Sequence, residues 1–261
     1  MKKRILIIMF AILLLTGCSN AGNYTEYTTA TVGDSSSDYK QISLDELDAL
    51  ETEGKINYSF LDSEKRSNKE ITIDGHFVDF DINGYDSVFA ALASLADIMK
   101  LQDVENEMKV YLQSGSHGEN YSFQQYYKGV EVYNGRAKII VDVIGKKILR
   151  LYTNYYIIDS LDTKPKLNLK TLYKTVSDNY SVDIDGEPQL IIYTGELGSE
   201  DALREPVLAW RINLCLDGTL DSLDKIIIDD STGEVIHERK MTVYYDWYAC
   251  RLKMHNPIFD R

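Results

Sequence analysis

Residues Ser122 to Tyr156 read SFQQYYKGVEVYNGRAKIIVDVIGKKILRLYTNYY. Three breaks, at Gly129, Asn134-Gly135 and Gly145-Lys146, divide this stretch into runs rich in Tyr, Val and Ile, which are residues that favour strands. From Ala137 to Val143 every second residue is apolar, as in a strand with one buried face. The stretch therefore predicts an antiparallel sheet of three strands joined by turns.

The residues before this stretch predict a helix and strands that complete one unit. A capping box at Ser43-Leu44-Asp45-Glu46 predicts a short helix that ends near Glu51. A longer helix is predicted to begin at Asp86 or Ser87, because apolar residues recur there at helical spacing, namely Val88, Leu92, Leu95 and Met99. Strands are predicted at Ile56–Leu61, at Glu70–Phe80 with a hairpin at Asp74-Gly75, and at Glu107–Gln113.

The residues after this stretch predict a second unit of the same kind. Its helix begins at Asn168 and carries Leu169, Leu172, Tyr173, Val176 and Tyr180 at helical spacing. Its strands are predicted at Gln189–Tyr193, Val207–Leu216, Leu223–Asp229 and Glu234–Arg239. The predicted fold class is therefore α+β, with two modules that each pack one main helix on an antiparallel sheet.

The stretch FQQYYKGVEVYNG resembles the fungalysin/thermolysin propeptide motif, whose form is RFQQ, three residues, GVPV, an aromatic residue and GG. Ser122 replaces the Arg of that form, Glu131 the Pro, and Asn134 the first Gly. Three later segments resemble the strand signatures of a PepSY module: Leu190–Tyr193, Leu208–Ile212 and Ile227–Ile236. In precursors of thermolysin-like metalloproteases the PepSY module follows the first module directly. The resemblance covers residues from near Asp81 to Lys240 and implies a free-standing propeptide.

The start of the chain predicts export and a lipid anchor. Met1-Lys2-Lys3-Arg4 is basic, and the next 11 residues, Ile5 to Leu15, are all apolar. That run is shorter than the roughly 20 residues that cross a bilayer as a helix, and it is typical of a secretory signal. Leu15-Thr16-Gly17-Cys18 resembles a bacterial lipobox, which implies lipidation of Cys18, a palmitate-type anchor and a position on the outer side of the cell membrane. An ordinary signal peptide with an incidental cysteine is the alternative.

These observations divide the chain into five predicted segments. Residues 1–17 are the signal peptide and residues 18–41 a flexible linker rich in Ser, Thr, Asn, Gly and Asp. Residues 42–160 form the propeptide-like module, residues 161–241 the PepSY-like module, and residues 242–261 a C-terminal tail. The polar connection with Pro165 marks the boundary between the modules.

The net charge excludes nucleic acid as a partner. Loss of Met1–Gly17 removes three of the 28 basic residues and none of the 41 acidic ones, which leaves a net charge of −16. Such a surface repels polyanions. Two cysteines follow Cys18, namely Cys215 and Cys250. An oxidising compartment allows them to form a disulfide, and the alternative is that both stay reduced.

Motifs for catalysis or metal binding are not recognised in the sequence. His237-Glu238-Arg239-Lys240-Met241 begins like the zinc motif HExxH, but Met241 stands where the second His belongs, within a predicted strand. Acidic pairs such as Asp229-Asp230 are typical of turns. A zinc switch made by Cys250 and His255, a carbohydrate-binding tyrosine stripe and a hydrolase are weaker alternatives. We therefore expect no enzyme activity, no catalytic residues, no metal and no cofactor.

The resemblance implies a function as an inhibitor or folding chaperone of a secreted zinc metalloprotease, exerted from the membrane surface. The alternative is an envelope lipoprotein that binds or assembles other proteins without a protease partner. In both hypotheses the partner is a protein, and the lipid on Cys18 holds the chain to the membrane.

Overall fold

The computed structural model describes residues 24–26, 39–63, 67–115, 118–180, 182–195, 205–215 and 221–242. The fold class is α+β, as predicted. Five helices are described: α1 (Leu44–Thr52), α2 (Tyr85–Ala93), α3 (Ala96–Met99), α4 (Val104–Glu107) and α5 (Leu169–Asn179). The strands are β1 (Tyr24–Glu26), β2 (Ile56–Ser63), β3 (Asn68–Gly75), β4 (Met108–Gly115), β5 (Gly118–Tyr127), β6 (Val130–Asp142), β7 (Lys147–Tyr156), β8 (Gln189–Tyr193), β9 (Val207–Asn213), β10 (Asp221–Asp229) and β11 (Val235–Thr242).

The prediction for the Ser122–Tyr156 stretch is confirmed. Strands β5, β6 and β7 are adjacent and antiparallel. The alternating residues Ala137, Ile139 and Val141 are buried on the face that packs against α2 and α3. Val143 lies beyond the end of β6 and is exposed, because the turn to β7 begins there.

All eleven described strands belong to one sheet, and β6 is its branch point. One path runs β1-β4-β5-β6-β8-β9-β10-β11, and a second runs from β6 through β7 and β3 to β2. The residues of β6 from Arg136 onward pair with β7, whereas Glu131 and Val132 pair in parallel with Ile191 and Ile192 of β8. Where two sheets are predicted, the structure therefore has one, since β6 has 13 residues and serves two neighbours.

A bulge inside β6 separates these two pairings. Gln124 of β5 lies opposite Arg136, but Tyr126 lies opposite Glu131, so residues 132–135 face Gln125 alone. Asn134-Gly135, predicted as a strand break, forms this bulge instead of a turn between strands. Extra residues on one strand bend it and increase its twist, and here the bend takes β6 from β7 to β8.

The long helix predicted from Asp86 or Ser87 is interrupted, and it begins at Tyr85. Its apolar residues are buried as expected: Val88, Leu92, Leu95 and Met99. The interruption lies between α2 and α3, where the side chain of Gln41 enters the helix. Its Nε2 donates to Ala93 O at 3.1 Å, and its Oε1 accepts from Asp97 N at 3.1 Å. The amide thereby replaces the helical bond between those two backbone groups, a recognised cause of helix breaks.

Two further predictions of the first half have different outcomes. The capping box is present, with Glu46 N donating to Ser43 Oγ at 3.2 Å and Ser43 N donating to Glu46 Oε2 at 2.8 Å. The prediction of a hairpin at Asp74-Gly75 is wrong, because β3 ends at Gly75 and residues 76–80 form no strand. Phe77 and Val78 are both buried, a consecutive pattern that a half-buried strand does not allow.

The second half has the predicted helix and four strands. Strands β8, β9, β10 and β11 pair antiparallel in chain order. Helix α5, capped by Asn168, packs Leu172 and Val176 on a cluster from β9 and β10 that includes Trp210, Ile212, Ile226 and Ile228. The expected arrangement of one main helix on antiparallel strands is present in this half.

The two halves share hydrophobic contacts at the pairing of β6 with β8. On one face of the sheet Tyr133 packs with Ile191 and Tyr193, and on the other face Val132 and Tyr156 pack with Ile192. All six side chains are at least nine-tenths buried. The segment predicted as a linker also contributes to the fold, since β1 pairs with β4 and Gln41 enters the helix.

Candidate functional site

Gln124 holds the bulge of β6. Its Nε2 donates to the carbonyl oxygens of Val132 at 2.8 Å and Gly135 at 2.9 Å. Bulged residues lose partners in the strand ladder, and unpaired buried backbone groups are costly. The first glutamine of the FQQ sequence therefore supplies the hydrogen bonds that the bulge removes.

Gln125, the second glutamine, closes the end of β7. Its side chain is 2% exposed, with Nε2 donating to Tyr156 O at 2.7 Å and Oε1 accepting from Tyr156 N at 2.9 Å. The pairing between β6 and β7 stops at Arg136 and Asn154, so β6 provides no partner for Tyr156 on that side. The amide of Gln125 takes the place of the missing strand.

Gly135 is required at this position by close packing. A Cβ atom there would lie 2.4 Å from Gln125 Oε1 and 2.8 Å from Gln125 Cβ. Asn134, where the propeptide form has a further Gly, has φ +65°, a left-handed conformation that asparagine tolerates. The departure from the propeptide form at Asn134 is therefore compatible with the same backbone.

Side-chain amide and hydroxyl groups connect this bulge to β7 and to the second half. Asn134 Nδ2 donates to Gly195 O at 2.9 Å, and Asn134 O accepts from Asn154 Nδ2 at 3.1 Å. Thr194 Oγ1 donates to Tyr133 O at 2.5 Å. Asn154 and Thr194 are almost completely buried. Since buried polar groups are retained when they are hydrogen-bonded, these contacts fix the position of β8 beside β6.

An ion pair crosses the same junction near the surface. Arg211 of β9 binds Glu131 of β6 through two parallel bonds, Nη1 to Oε1 at 2.8 Å and Nη2 to Oε2 at 3.1 Å. Its Nε also donates to Gln189 Oε1 at 3.1 Å. Glu131 stands where the propeptide form has Pro, so this departure adds a bidentate contact between the two halves.

The paired carboxylates Asp229 and Asp230 bind groups of their own chain. Asp229 Oδ1 accepts from the backbone N–H of Ser231 and Thr232 in the turn after β10. Asp230 is buried and accepts from the N–H groups of the segment before α5, Lys166 at 2.8 Å and Leu167 at 3.1 Å. It also accepts from the indole Nε1 of Trp210 at 2.8 Å. These aspartates therefore hold α5 and the turn in place.

Of the three cysteines predicted as lipidation or disulfide sites, the structure describes Cys215. Cys18 and Cys250 lie outside the described residues, as do the signal sequence and His255. Cys215 lies two residues after the end of β9, is partly buried, and its N–H donates to Asp183 O at 2.8 Å. The lipid on Cys18 and the bond between Cys215 and Cys250 stay predictions.

His237 lies in strand β11 and not on a helix, and its ring centroid is 5.9 Å from that of Tyr193. Within the described ranges no cluster of three or more His, Cys, Asp or Glu is arranged to hold a metal ion. Nor does that part of the chain contain a helix with the length and hydropathy of a membrane span. Five of the tyrosines are core residues: Tyr121, Tyr133, Tyr155, Tyr156 and Tyr193.

A cleft of about 920 Å³ lies between α1, α2 and residues 76–80. Its apolar lining residues include Ile42, Leu50, Phe77, Val78, Phe80 and Ala90. Charged residues surround it, and its two lysines pair with carboxylates: Lys55 with Glu53 at 2.6 Å and Lys40 with Asp79 at 3.6 Å. Cavities of this size with apolar walls are typical of binding sites.

His76 lines the cleft, and histidine is a residue type that often acts as a general acid or base. Its Nδ1 accepts from Ile148 N at 3.1 Å, and Lys147 Nζ lies 3.4 Å from its Nε2 and 3.0 Å from Asp81 Oδ1. Burial, and then the charge of Lys147, lowers the pKa of His76. Both effects favour the neutral form of the imidazole, and one of its nitrogens accepts from the backbone.

Comparison with known proteins gives a distant likeness to solved structures and none to a family model. No family model matches the sequence, and no curated protein matches it. Among solved structures the chain is similar to the Bacillus megaterium YpeB C-terminal domain, with 16% sequence identity and a TM-score of 0.35, over 78% of this chain and 100% of that domain. No function follows from a likeness this distant, and the propeptide resemblance stays a prediction from sequence motifs.

Two features of the site have no clear signal in the sequence. The ion pair of Glu131 and Arg211 joins residues 80 positions apart, a separation that no local sequence pattern covers. The cleft depends on how α1, α2 and residues 76–80 pack, and residues 76–80 are predicted as strand. The spacing of apolar residues along the sequence does not indicate the ion pair or the cleft.

Proposed function

We propose that this chain is a non-catalytic, lipid-anchored protein that resembles a thermolysin-type propeptide and inhibits, or assists the folding of, a secreted zinc metalloprotease. One observation carries this proposal: the polar residues of the propeptide-like motif bind the backbone of their own chain. Gln124 and Gln125 stabilise the bulge of β6 and the end of β7. The motif therefore stabilises the fold of the sheet itself. In the proposed function, the surface of this sheet contacts the partner protein.

The remaining polar groups of the described chain support a binding role over chemistry. Asp229 and Asp230 accept from backbone and indole donors of their own chain, and His76 lies beside Lys147, whose ammonium donates to Asp81. General acid–base or nucleophilic catalysis needs paired groups within hydrogen-bond reach of a reacting atom. The apolar cleft offers a recess for binding instead.

The proposed position at the cell surface rests on the sequence. The apolar run Ile5–Leu15 and the Leu15-Thr16-Gly17-Cys18 ending support export and acylation of Cys18. A chain held in this way would meet secreted proteins as they leave the membrane. We further propose that residues 42–160 and 161–241 act as two modules joined through β6 and β8.

A capture experiment tests the proposal. The full-length chain, immobilised from mild detergent, is incubated with envelope extract and culture supernatant of its host, and bound proteins are identified by mass spectrometry. The proposal predicts enrichment of a zinc metallopeptidase over a control column carrying an unrelated lipoprotein. Enrichment of envelope proteins with no peptidase would favour the alternative of an envelope assembly lipoprotein.

A further inference from the structure

The turn between β6 and β7 exposes apolar side chains. Of the seven large apolar side chains that are exposed in the described ranges, three belong to this hairpin: Val143, Ile144 and Leu149. Ile144 is 92% exposed, the highest value among the seven, and Val143 is 48% exposed. Single exposed apolar residues are common, but adjacent ones often mark a contact with a protein or a membrane. We term Val143-Ile144 the apolar tip.

Hydrogen bonds hold this turn in one conformation. Asp142 Oδ1 accepts from the N–H of Ile144 at 3.0 Å, and the N–H of Ile82 donates to Lys146 O at 2.9 Å. A Cβ atom at Gly145 would lie 2.6 Å from Asp142 Oδ2, so the turn closes tightly on that carboxylate. Because the turn is fixed in this way, the apolar tip loses little conformational freedom when it binds.

Strand β1 begins at the same end of the sheet as the apolar tip. It runs antiparallel to β4, with Tyr24 opposite Gln113 near the end of β4. Strand β4 continues into β5, and Glu119 near the start of β5 lies opposite Val141 near the end of β6. The start of β1, the end of β4 and the end of β6 are therefore at one end of the sheet.

This end of the sheet is close to the predicted lipid attachment site. Cys18 precedes Tyr24 by six residues, and six residues span at most about 20 Å. Adjacent strands are about 4.8 Å apart, so the three steps across the sheet from β1 to β6 cover roughly 14 Å. A lipid on Cys18 would therefore hold this end of the sheet within about 20 Å of the membrane surface.

The residues next to the apolar tip also suit a membrane surface. Lys146 and Lys147 follow Gly145, and Lys147 binds Asp81 at 3.0 Å. Lysine side chains at a membrane interface place their apolar stems along the buried surface and keep the ammonium group in water. Aliphatic side chains beside them gain free energy by burial at the boundary between headgroups and acyl chains.

We propose that the apolar tip inserts into the surface of the membrane that carries the lipid of Cys18. The chain then has a second contact with the bilayer, which fixes its orientation. The strands point away from the membrane, and the faces of the sheet stay accessible to a partner protein. This inference rests on the proposed function for the acylation of Cys18, and it adds which end of the sheet contacts the bilayer.

Tryptophan fluorescence in vesicles tests this contact. The chain is purified from the membrane fraction of its host and reconstituted into phosphatidylcholine vesicles with acyl chains brominated near the headgroup, since bromine quenches tryptophan on contact. Ile144→Trp is expected to show a blue-shifted emission and a greater loss of intensity than the wild type, which contains two tryptophans. Vesicles without bromine give the unquenched reference. Quenching of Ile144→Trp no greater than that of the wild type would overturn the proposal.

Leu61→Trp is the matched control. Leu61 is 48% exposed and lies opposite Glu70, which pairs on its other side with Asn154 of β7. Asn154 is seven residues from Lys147, where β7 starts beside the turn, a distance of about 23 Å along the strand. Leu61 is therefore near the opposite end of the sheet, and Leu61→Trp should be quenched no more than the wild type.

A charge in the apolar tip distinguishes insertion from proximity. Adding Val143→Asp to Ile144→Trp should abolish the additional quenching, because a carboxylate is costly to transfer out of water. Both positions are exposed, so the fold should persist, and circular dichroism checks this. Additional quenching that is unaffected by Val143→Asp would contradict insertion.

Vesicle flotation separates this inference from the proposed function. Flotation of the chain with the vesicles depends on the acyl group of Cys18, whereas the additional quenching depends on the apolar tip. A chain that floats without additional quenching of Ile144→Trp would overturn this contact and leave the proposed anchor in place. A chain that does not float would contradict the proposed anchor, and the contact with it. If Ile144→Trp is unquenched and Ile144→Asp weakens inhibition of a metalloprotease, the apolar tip contacts the protease instead.

Discussion

Replacing Gln125 by leucine removes the group that closes the end of β7. Leucine has a similar volume and no polar atoms, so the N–H and the C=O of Tyr156 each lose their partner in a site where Gln125 is 2% exposed. An unsatisfied buried backbone group costs about 1–3 kcal/mol. We therefore expect Gln125→Leu to lower the free energy of unfolding by about 2–5 kcal/mol, allowing for partial relaxation.

Urea denaturation of the full-length chain, followed by far-UV circular dichroism, measures this change. The control is Gln102→Leu, which makes the same substitution at an exposed position and should change the free energy of unfolding by less than about 0.5 kcal/mol. A loss below about 1 kcal/mol for Gln125→Leu would refute the reasoning, because it would mean that water or another group satisfies Tyr156.

Gln125→Glu tests the same contact through pH. One carboxylate oxygen still accepts from Tyr156 N–H, but the other faces the Tyr156 carbonyl oxygen and has no proton to donate. Burial raises the pKa of such a carboxyl above its unfolded value. The folded state then binds more protons than the unfolded state, so the deficit in stability should shrink as pH falls from 7 and grow as pH rises. A deficit that is independent of pH would contradict this geometry.

Three further predictions concern other parts of the fold. Gly135→Ala places a Cβ against Gln125 and should cost about 1–3 kcal/mol of stability in urea denaturation; no loss would show that the bulge relaxes freely. Asp230→Ala leaves two backbone N–H groups and the Trp210 indole without an acceptor, for an expected loss of about 2–4 kcal/mol in thermal unfolding; wild-type stability would disprove its role in holding α5. The pKa of His76 is lowered in the folded state, so the unfolded state binds a proton first as pH falls, and stability should decrease below about pH 6.5. His76→Gln should reduce that decrease when the free energy of unfolding is measured from about pH 8 to about pH 5. An identical pH profile for the variant would contradict the assignment.

Local patterns predicted the elements whose burial follows a regular period. The alternation from Ala137 to Val141 gave a half-buried strand, and the spacing of Leu172 and Val176 gave α5. The helix break after Ala93 was not predictable in this way, since the residue that causes it, Gln41, is 52 positions away. The spacing of apolar residues indicates which face of a helix is buried. It does not indicate which distant side chain interrupts the helix.

The branching of the sheet at β6 was also not predictable from local sequence, because it too depends on contacts with distant residues. Asn134-Gly135 is a strong local signal for a turn, and the alternative, a bulge, depends on the amides of Gln124 and Gln125 and on the presence of β8 beside Val132. The propeptide resemblance includes both glutamines in its FQQ sequence but does not indicate their contacts. The cleft became visible only from packing, because residues 76–80, which line it, are predicted as strand and form none.

Inhibition of a secreted thermolysin-like metalloprotease from the host tests the central claim most directly. The enzyme is assayed with a peptide substrate, and separately refolded from denaturant, in the presence of increasing amounts of the full-length chain in mild detergent. The account predicts slower hydrolysis, or a higher yield of refolded enzyme, at concentrations on the order of 1 μM or below, the range of specific protein complexes. Unchanged activity and unchanged refolding with every such enzyme of the host would contradict it.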